Sequence, residues 1–222
     1  EGKSEIGMSY APFLKAGVTG VDPYKRKYEN LRAVGSLISN QSHILVSSDL
    51  GIHSLADLKE KKKGVKIGTG PVGSTEEFTM MLALKYEGIS AADIRQWGGR
   101  IDLQGTEQRT NGWKDRHMDV INFFINAPAG RVTELMTIRP GIILSLSDAM
   151  RKRMADEWGY VPMEIGANSY PKQASAVRTV GLPIVLITTD KASESLIYNL
   201  TKVVAENKER LIGSHPAFKQ WD

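Results

Sequence analysis

The chain has 222 residues, enough for one large domain or two small ones and for a core that needs no disulfide staples. Apolar residues make up 41% and charged residues 24%, a balance that is ordinary for globular proteins and excludes intrinsic disorder. The net charge of +4 weakly favours anionic small ligands over nucleic acid, and the absence of Cys excludes disulfides, thiolate zinc sites and cysteine nucleophiles.

The apolar pattern alternates between strand-like and helix-like segments from residue 43 onward. The β-branched run 43–47 predicts a strand, and Ser54 predicts the N-cap of a short helix that ends near the lysines at 61–63. We interpret that lysine run as a solvated helix end, because cations are favourable beside the negative end of a helix dipole. The segment 65–68 predicts the next strand.

A glycine-rich turn follows that strand and leads into a second predicted helix. The turn covers 70–73, Ser74 or Thr75 caps the helix, and Gly88 ends it. Free N–H groups at such a helix start, with two hydroxyls beside them, form a site for an anion such as a carboxylate. An ordinary N-cap is the alternative interpretation. The turn is not a Walker A loop, because it lacks the Gly-Lys-Ser/Thr ending.

Polar side chains mark the end of the predicted buried strand 120–124. Asn122 and Phe123 lie within that strand, and Asn126 follows it. Ligands of open α/β sheets bind beyond the carboxyl ends of the strands. An Asn side chain can donate and accept hydrogen bonds, which suits an amino acid or a hydroxy acid. Turn capping by Asn126 is the alternative.

The remaining chain continues the alternation of strands and helices. Pro128 predicts the first turn of a helix, because proline is favoured at the first helical position. The predicted strands and helices that follow are strand 142–146, helix 147–158, strand 182–188 and helix 193–211. Because strands and helices alternate, we expect an α/β fold with a largely parallel sheet and helices on both faces.

The sequence offers a binding site without a recognisable catalytic set. Its four histidines are scattered without metal-ligand spacing, and no Gly-x-Ser-x-Gly motif is present. Its tryptophans are not interleaved with basic residues, which argues against a nucleic-acid platform. We therefore expect no catalytic residue, no metal and no cofactor, and we expect a protein that is not an enzyme.

An ordered set of segments extends over nearly the whole chain. The segments are 30–37, 43–46, 54–59, 73–76, 116–120, 127–128, Tyr170 and 179–181. Together they resemble the TAXI family of TRAP-transporter solute receptors. The turn before Thr75 departs from the family pattern, because it reads Gly-Ser-Thr where the family has Gly-Ser-Gly-Thr.

The resemblance implies a two-lobed type II periplasmic-binding-protein fold with the ligand between the lobes. Each lobe would be a mostly parallel sheet flanked by helices. Residues 1–46 and 178–222 would form the first lobe and 47–177 the second, with hinge crossings near Leu45 and Pro183. The family has further strand–helix units upstream of the first matching segment, so the first lobe would be truncated at its N-terminus.

The resemblance also implies the function of an extracytoplasmic solute receptor in the periplasm. Such a receptor binds a small anionic or zwitterionic ligand, an amino acid or organic acid, and delivers it to the membrane components of a TRAP transporter. The predicted ligand-binding residues are Ser9, Tyr10, Gly73, Ser74, Thr75, Glu76, Asn122, Phe123, Asn126 and Tyr170. The carboxylate of Glu76 either faces an ammonium group of the ligand or complements the helix dipole.

Two other functions are compatible with the same fold. The chain could be the ligand-sensing effector domain of a cytosolic regulator, which a DNA-binding segment on the complete gene product would indicate. It could also be a transferase, which turnover of the bound compound would reveal. The chain begins at Glu1 with no signal peptide, so we expect a processed terminus or a fragment.

Overall fold

The computed structural model describes residues 4–214 and 217–218. They form a mixed α/β fold that divides into two compact units. The first unit takes in Glu1–Asn40, Arg153–Val161 and Gly181–Asp222, and the second takes in Gln41–Lys152 and Pro162–Val180. The lobe boundaries expected from the resemblance stay a prediction. None of the helices described is both long and apolar enough to span a bilayer.

The first unit is built on an antiparallel strand pair. Strand β1 (Ile6–Tyr10) pairs with the second half of β8 (Val177–Thr189), with Met8 opposite Leu186. Helix α1 (Ala11–Thr19) follows β1 directly and carries a proline in its first turn, where the missing N–H costs nothing.

The closing helix of the first unit is divided in two, which corrects the single helix predicted for 193–211. Helix α8 (Glu194–Glu206) ends before Asn207, and α9 (Lys208–Ser214) follows. Asn207 has a φ of −111°, and its side-chain amide donates to the carbonyl of Val203 at 2.8 Å. The carbonyl of Val203 thus accepts from both the backbone N–H and the side chain of Asn207, where the backbone leaves the helical conformation.

The second unit contains a mixed sheet. Its strands are the second half of β2 (Leu31–Ser47), β3 (Lys66–Thr69), β4 (Arg100–Leu103), β5 (Val120–Ile125), β6 (Gly141–Ile143), most of β7 (Val161–Ile165) and the start of β8. Strand β3 lies parallel to β4 and β5, whereas β2 is antiparallel to β5 and β6. The predicted α/β class is confirmed. The sheet is mixed, however, and not largely parallel as the pattern predicted, because only the strands joined by helical crossovers run parallel.

The helices of the second unit begin and end at local signals. They are a short 3-10 helix (Ser48–Leu50), α2 (Leu55–Lys61), α3 (Thr75–Glu87), α4 (Ala91–Gln96), α5 (Thr106–Lys114), α6 (Gly130–Ile138) and the first part of α7 (Asp148–Trp158). The predicted caps are confirmed, because Ser54 accepts from the N–H of Asp57 and Ser74 from that of Glu77. The predicted helix start at Pro128 is wrong, because Ala129 is the extended N-cap of α6 and leaves Pro128 outside it.

The core of the second unit surrounds Trp113 on α5, which is fully buried. Its indole N–H donates to the carbonyl of Leu135 at 3.1 Å, which fixes α5 against α6. The guanidinium of Arg139 lies 5.0 Å from the centre of the indole ring and donates to the carbonyl of Met118. These contacts anchor the helices that carry the polar residues described next.

Candidate ligand-binding site

Polar groups of the second unit gather at the carboxyl ends of β3 and β5. These two strands are parallel, so they end at the same edge of the sheet. Thr69 is the last residue of β3, and the turn after it leads to Ser74 at the start of α3. Asn126 comes directly after β5. This is the edge at which open α/β sheets bind ligands.

The turn between β3 and α3 is packed closely against the helix start. A Cβ atom at Gly70 would lie 2.0 Å from Oγ of Ser74 and 3.0 Å from Cβ of Glu76, so any side chain there would displace the Ser74 hydroxyl or the turn itself. Gly73 has a φ of +77°, in the left-handed region that favours glycine. The two glycines therefore let the backbone approach the first turn of α3.

The first turn of α3 has N–H groups without a partner within the helix, although it is capped. Oγ of Ser74 accepts from the N–H of Glu77 at 3.2 Å, and the carboxylate of Glu77 accepts from the N–H of Gly73 at 3.2 Å. The N–H groups of Thr75 and Glu76 have no partner within the helix. A ligand anion can be bound by these N–H groups, because the helix dipole also favours negative charge there.

Asn122 holds the start of α3 against the sheet. Its side chain is completely buried; the amide donates to the carbonyl of Glu76 at 2.8 Å, and the amide oxygen accepts from the hydroxyl of Thr69 at 2.8 Å. Both ends of this side chain are therefore engaged with the protein. Asn122 positions the binding edge through one buried and one part-buried hydrogen bond.

A buried arginine lies beneath the first turn of α3. The side chain of Arg109 on α5 is only 1% exposed, and its Nη2 lies 3.5 Å from a carboxylate oxygen of Glu76, which is 23% exposed. Arg109 also donates to the carbonyl of Gln104 at 2.7 Å and lies 5.5 Å from the ring centre of Phe123. Burial lowers the pKa of Arg109, and the negative charge of Glu76 opposes that shift.

The charges around this edge are of both signs. Glu76 and Glu77 lie in the first turn of α3, and the exposed Arg131 on α6 is near enough for its positive charge to act on Arg109. In the part of the chain that the structure describes, no three side chains of His, Asp or Glu lie close enough together to hold a metal ion. The arrangement is suited to a small ligand with polar or charged groups.

A second set of buried polar groups holds the segment after β5. The hydroxyl of Tyr170 lies 2.8 Å from Nε2 of His43 and accepts from the N–H of Ala129 at 3.1 Å. Nδ1 of His43 faces the carbonyl of Gln41 at 3.1 Å, so we assign the ring hydrogen to Nδ1. Burial lowers the pKa of His43 to about 4 and raises the pKa of Tyr170.

Gln41 ties the same segment to β7. Its side-chain oxygen accepts from the N–H of Ala127 at 2.8 Å, and its amide donates to the carbonyl of Glu164 at 2.9 Å. The residues between β5 and α6 are therefore fixed by side chains from β2. These contacts hold the backbone near Asn126 in one conformation, as a preformed binding edge requires.

The structure links several of the predicted site residues. Gly73 and Ser74 are each hydrogen-bonded to Glu77. Glu76 accepts from Thr75 and, through its carbonyl, from Asn122. Arg109 lies between Glu76 and the ring of Phe123. Tyr170 is 4% exposed and contacts the segment after β5. Ser9 and Tyr10 belong to the first unit, at the end of β1. The part of each of these residues in ligand binding stays a prediction.

Sequence analysis did not single out Thr69, Arg109, Gln41 or His43. A signal was available for Arg109, because it lies four residues before Trp113 and both side chains therefore face the core on one side of α5. Thr69 ends a buried strand at the ligand-binding edge, which is also readable from the pattern. The contacts of Gln41 and His43 depend on segments that are distant in the sequence.

The family comparison agrees with this architecture. The model of the NMT1-like family matches residues 1–222. The chain belongs to the NMT1-like family. The NMT1-like chain is also similar to a TctC solute binding protein from Polaromonas, solved with no ligand, at 13% identity and a TM-score of 0.56. That match covers 96% of this chain and 65% of the other.

Two further solved structures share the fold of the NMT1-like chain. The periplasmic binding protein BugD is 10% identical with a TM-score of 0.54, and the match covers 97% of this chain and 65% of that one. MatC from Rhodopseudomonas palustris, solved with bound malate, is 11% identical with a TM-score of 0.54. That match covers 91% of this chain and 64% of MatC. The chain thus spans less than two thirds of the length of these proteins, and at such identities the likeness shows the fold.

Proposed function

We propose that the chain binds a small carboxylate-bearing compound as the extracytoplasmic solute receptor of a transport system. The observation that carries this proposal is the first turn of α3, where the N–H groups of Thr75 and Glu76 lack helical partners at the ligand-binding edge of the sheet. Membership of the NMT1-like family supports it. So does the shared fold with proteins that are named as solute-binding or periplasmic binding proteins.

In this proposal each polar group at the edge has a role. The backbone N–H groups of Thr75 and Glu76 and the hydroxyl of Ser74 bind the carboxylate of the ligand. Asn126 contributes a further polar contact, and Asn122 keeps α3 in place from beneath. Tyr170 orients the N–H of Ala129.

We further propose a periplasmic location and delivery of the ligand to a TRAP-type secondary transporter. The ordered segments that resemble the TAXI receptors support this finer assignment. The name of BugD as a periplasmic binding protein supports the location. The ligand is returned chemically unchanged, as transport requires.

A ligand screen with matched variants tests the proposal. Amino acids and small mono- and dicarboxylates are scanned for a rise in melting temperature that grows with ligand concentration, as linkage requires. The variant Ser74→Ala/Thr75→Ala is expected to weaken binding of any hit by roughly 1–3 kcal/mol. Ser90→Ala is the matched control, because Ser90 caps α4 through the same bond to a backbone N–H.

An equal loss of affinity in Ser74→Ala/Thr75→Ala and in Ser90→Ala would indicate that Ser74 acts only as an N-cap. That result would contradict the proposed site. A panel without any hit would contradict the receptor function for carboxylates. Recovery of a hit as a different compound, detected by mass spectrometry, would indicate an enzyme instead.

A further inference from the structure

The carboxylate of Glu76 occupies an unusual position for a site that is to bind an anion. It lies in the first turn of α3, next to the N–H groups that we propose for the ligand carboxylate. Like charges at such short separation repel each other unless a cation lies between them. The surroundings of Glu76 therefore decide which ligands the site accepts.

Arg109 holds the carboxylate of Glu76 in place without using all of its hydrogen-bond acceptor positions. The distance of 3.5 Å between Nη2 and the nearer carboxylate oxygen exceeds that of a charge-assisted hydrogen bond. The other carboxylate oxygen accepts from the hydroxyl of Thr75 at 2.8 Å. A carboxylate offers about four acceptor positions, so Glu76 keeps free capacity on its exposed side.

Arg109 itself is not accessible to a ligand from solvent. Its side chain is 1% exposed, and its Nε is buried without a partner among the residues that the structure describes. Glu76 is the more exposed member of the pair. An incoming ligand therefore meets the negative charge of Glu76 first, whereas the positive charge of Arg109 acts from beneath.

We infer that Glu76 is the residue that selects for a protonated amine on the ligand, with Arg109 as its positioning residue. This inference rests on the proposed function and narrows the ligand class to compounds that carry both a carboxylate and an ammonium group. The N–H groups of the α3 start bind the carboxylate, and the free acceptor positions of Glu76 bind the ammonium. The ligand's own cation then offsets the repulsion between the two carboxylates.

The alternative role of Glu76 is to complement the helix dipole. Glu77 already does so from the same turn, since its carboxylate accepts from the N–H of Gly73. Glu77 has no arginine beneath it among the ion pairs of the described residues. It therefore serves as a matched control, a second carboxylate on the same helix turn without the proposed role.

Paired ligands that differ only in the amine test the inference. Calorimetry compares L-aspartate with succinate, L-glutamate with glutarate, and L-leucine with 4-methylpentanoate on the wild-type chain, Glu76→Gln and Glu77→Gln. In at least one pair the wild-type chain is expected to favour the amino acid by about tenfold or more. Glu76→Gln keeps an acceptor for Thr75 but removes the charge, so the preference is expected to narrow to within about threefold.

The outcomes separate this inference from the proposed function. Tighter binding of the compound without the amine, or an unchanged preference in Glu76→Gln, overturns the inference and leaves the receptor function standing. An equal change of preference in Glu77→Gln also overturns it, because the effect would then be general helix electrostatics. Failure of both members of every pair to bind overturns the proposed function and the inference together.

Discussion

The hydroxyl of Tyr170 and Nε2 of His43 are 2.8 Å apart inside the second unit, and the two rings meet edge-on with their centres 5.5 Å apart. His43 is completely buried, and both ring nitrogens have protein partners. The Tyr170 hydroxyl in turn accepts a hydrogen bond from the N–H of Ala129 at the start of α6. One buried imidazole thus supports the backbone on which part of the candidate site is built.

The protonation of His43 is expected to make stability fall in mild acid. Its pKa is lowered from 6.5 to about 4 in the folded chain, so the unfolded chain binds the extra proton first as the pH falls. Stability that is present above pH 6.5 is therefore lost progressively down to about pH 4, by about 3 kcal/mol at most.

Urea unfolding between pH 7 and 4 of the wild-type chain and His43→Gln measures this contribution. The exposed His53→Gln is the control, because it alters a histidine outside the core. The wild-type chain should lose more stability with acid than His43→Gln does. Parallel pH profiles of those two proteins would show that the imidazole is not the group responsible.

Tyr170→Phe is expected to destabilise the second unit. The change removes only the hydroxyl, which leaves the N–H of Ala129 and Nε2 of His43 without a partner. The free energy of unfolding should fall by roughly 1–3 kcal/mol. Tyr198→Phe removes a hydroxyl from an exposed tyrosine on α8 and should change stability little.

Ligand affinity distinguishes the two roles of Tyr170. If the ring forms a wall of the site, Tyr170→Leu should weaken binding of a screening hit more than Tyr170→Phe does. If the residue acts only through Ala129, the two variants should bind alike once their stability difference is taken into account. Calorimetry on both variants decides between these roles.

Asn122→Ala is expected to loosen α3 from the sheet. The part-buried carbonyl of Glu76 and the hydroxyl of Thr69 would each lose a hydrogen-bond partner. We expect a loss of roughly 1–3 kcal/mol in unfolding free energy and weaker ligand binding. The exposed Asn111→Ala on α5 is the control, and equal stability of the two variants in urea would contradict this role.

Gly70→Ala is expected to disrupt the binding edge. The new methyl group would lie 2.0 Å from Oγ of Ser74, so either the Ser74 hydroxyl rotates away and gives up its cap or the backbone of the turn moves. Gly130→Ala on α6 is the control, because the new methyl group would meet no atom within 4 Å beyond its chain neighbours and the backbone of its own helix. The Gly70 variant should lose both stability and affinity in calorimetry, and a Gly130 variant that loses as much would refute the steric explanation.

The features that sequence analysis predicted correctly depend on local signals. Ser54, Ser74 and Gly88 mark helix ends through bonds to neighbouring residues, so the bounds of α2 and α3 followed from the pattern. The lysines at 61–63 do lie exposed at the end of α2. Such signals act within a single turn of the chain and need no knowledge of the fold.

The features that were not predicted depend on contacts between distant segments. The antiparallel direction of β2 beside β5 cannot be inferred from hydrophobic periodicity, which is the same for either direction. The position of Arg109 under Glu76 joins two residues that are 33 positions apart in the sequence, on α5 and α3. The break at Asn207 is an exception, because an asparagine within a predicted helix is itself a local signal for a helix end.

The burial of Trp113 has a practical consequence for all of these experiments. Its indole is enclosed in the core of the second unit and lies under the guanidinium of Arg139. Water reaches it only when that core opens, so its fluorescence should shift to longer wavelength on unfolding of this unit. A chain in which the other tryptophans are replaced by phenylalanine would thus carry an intrinsic optical reporter of the second unit, without any attached dye.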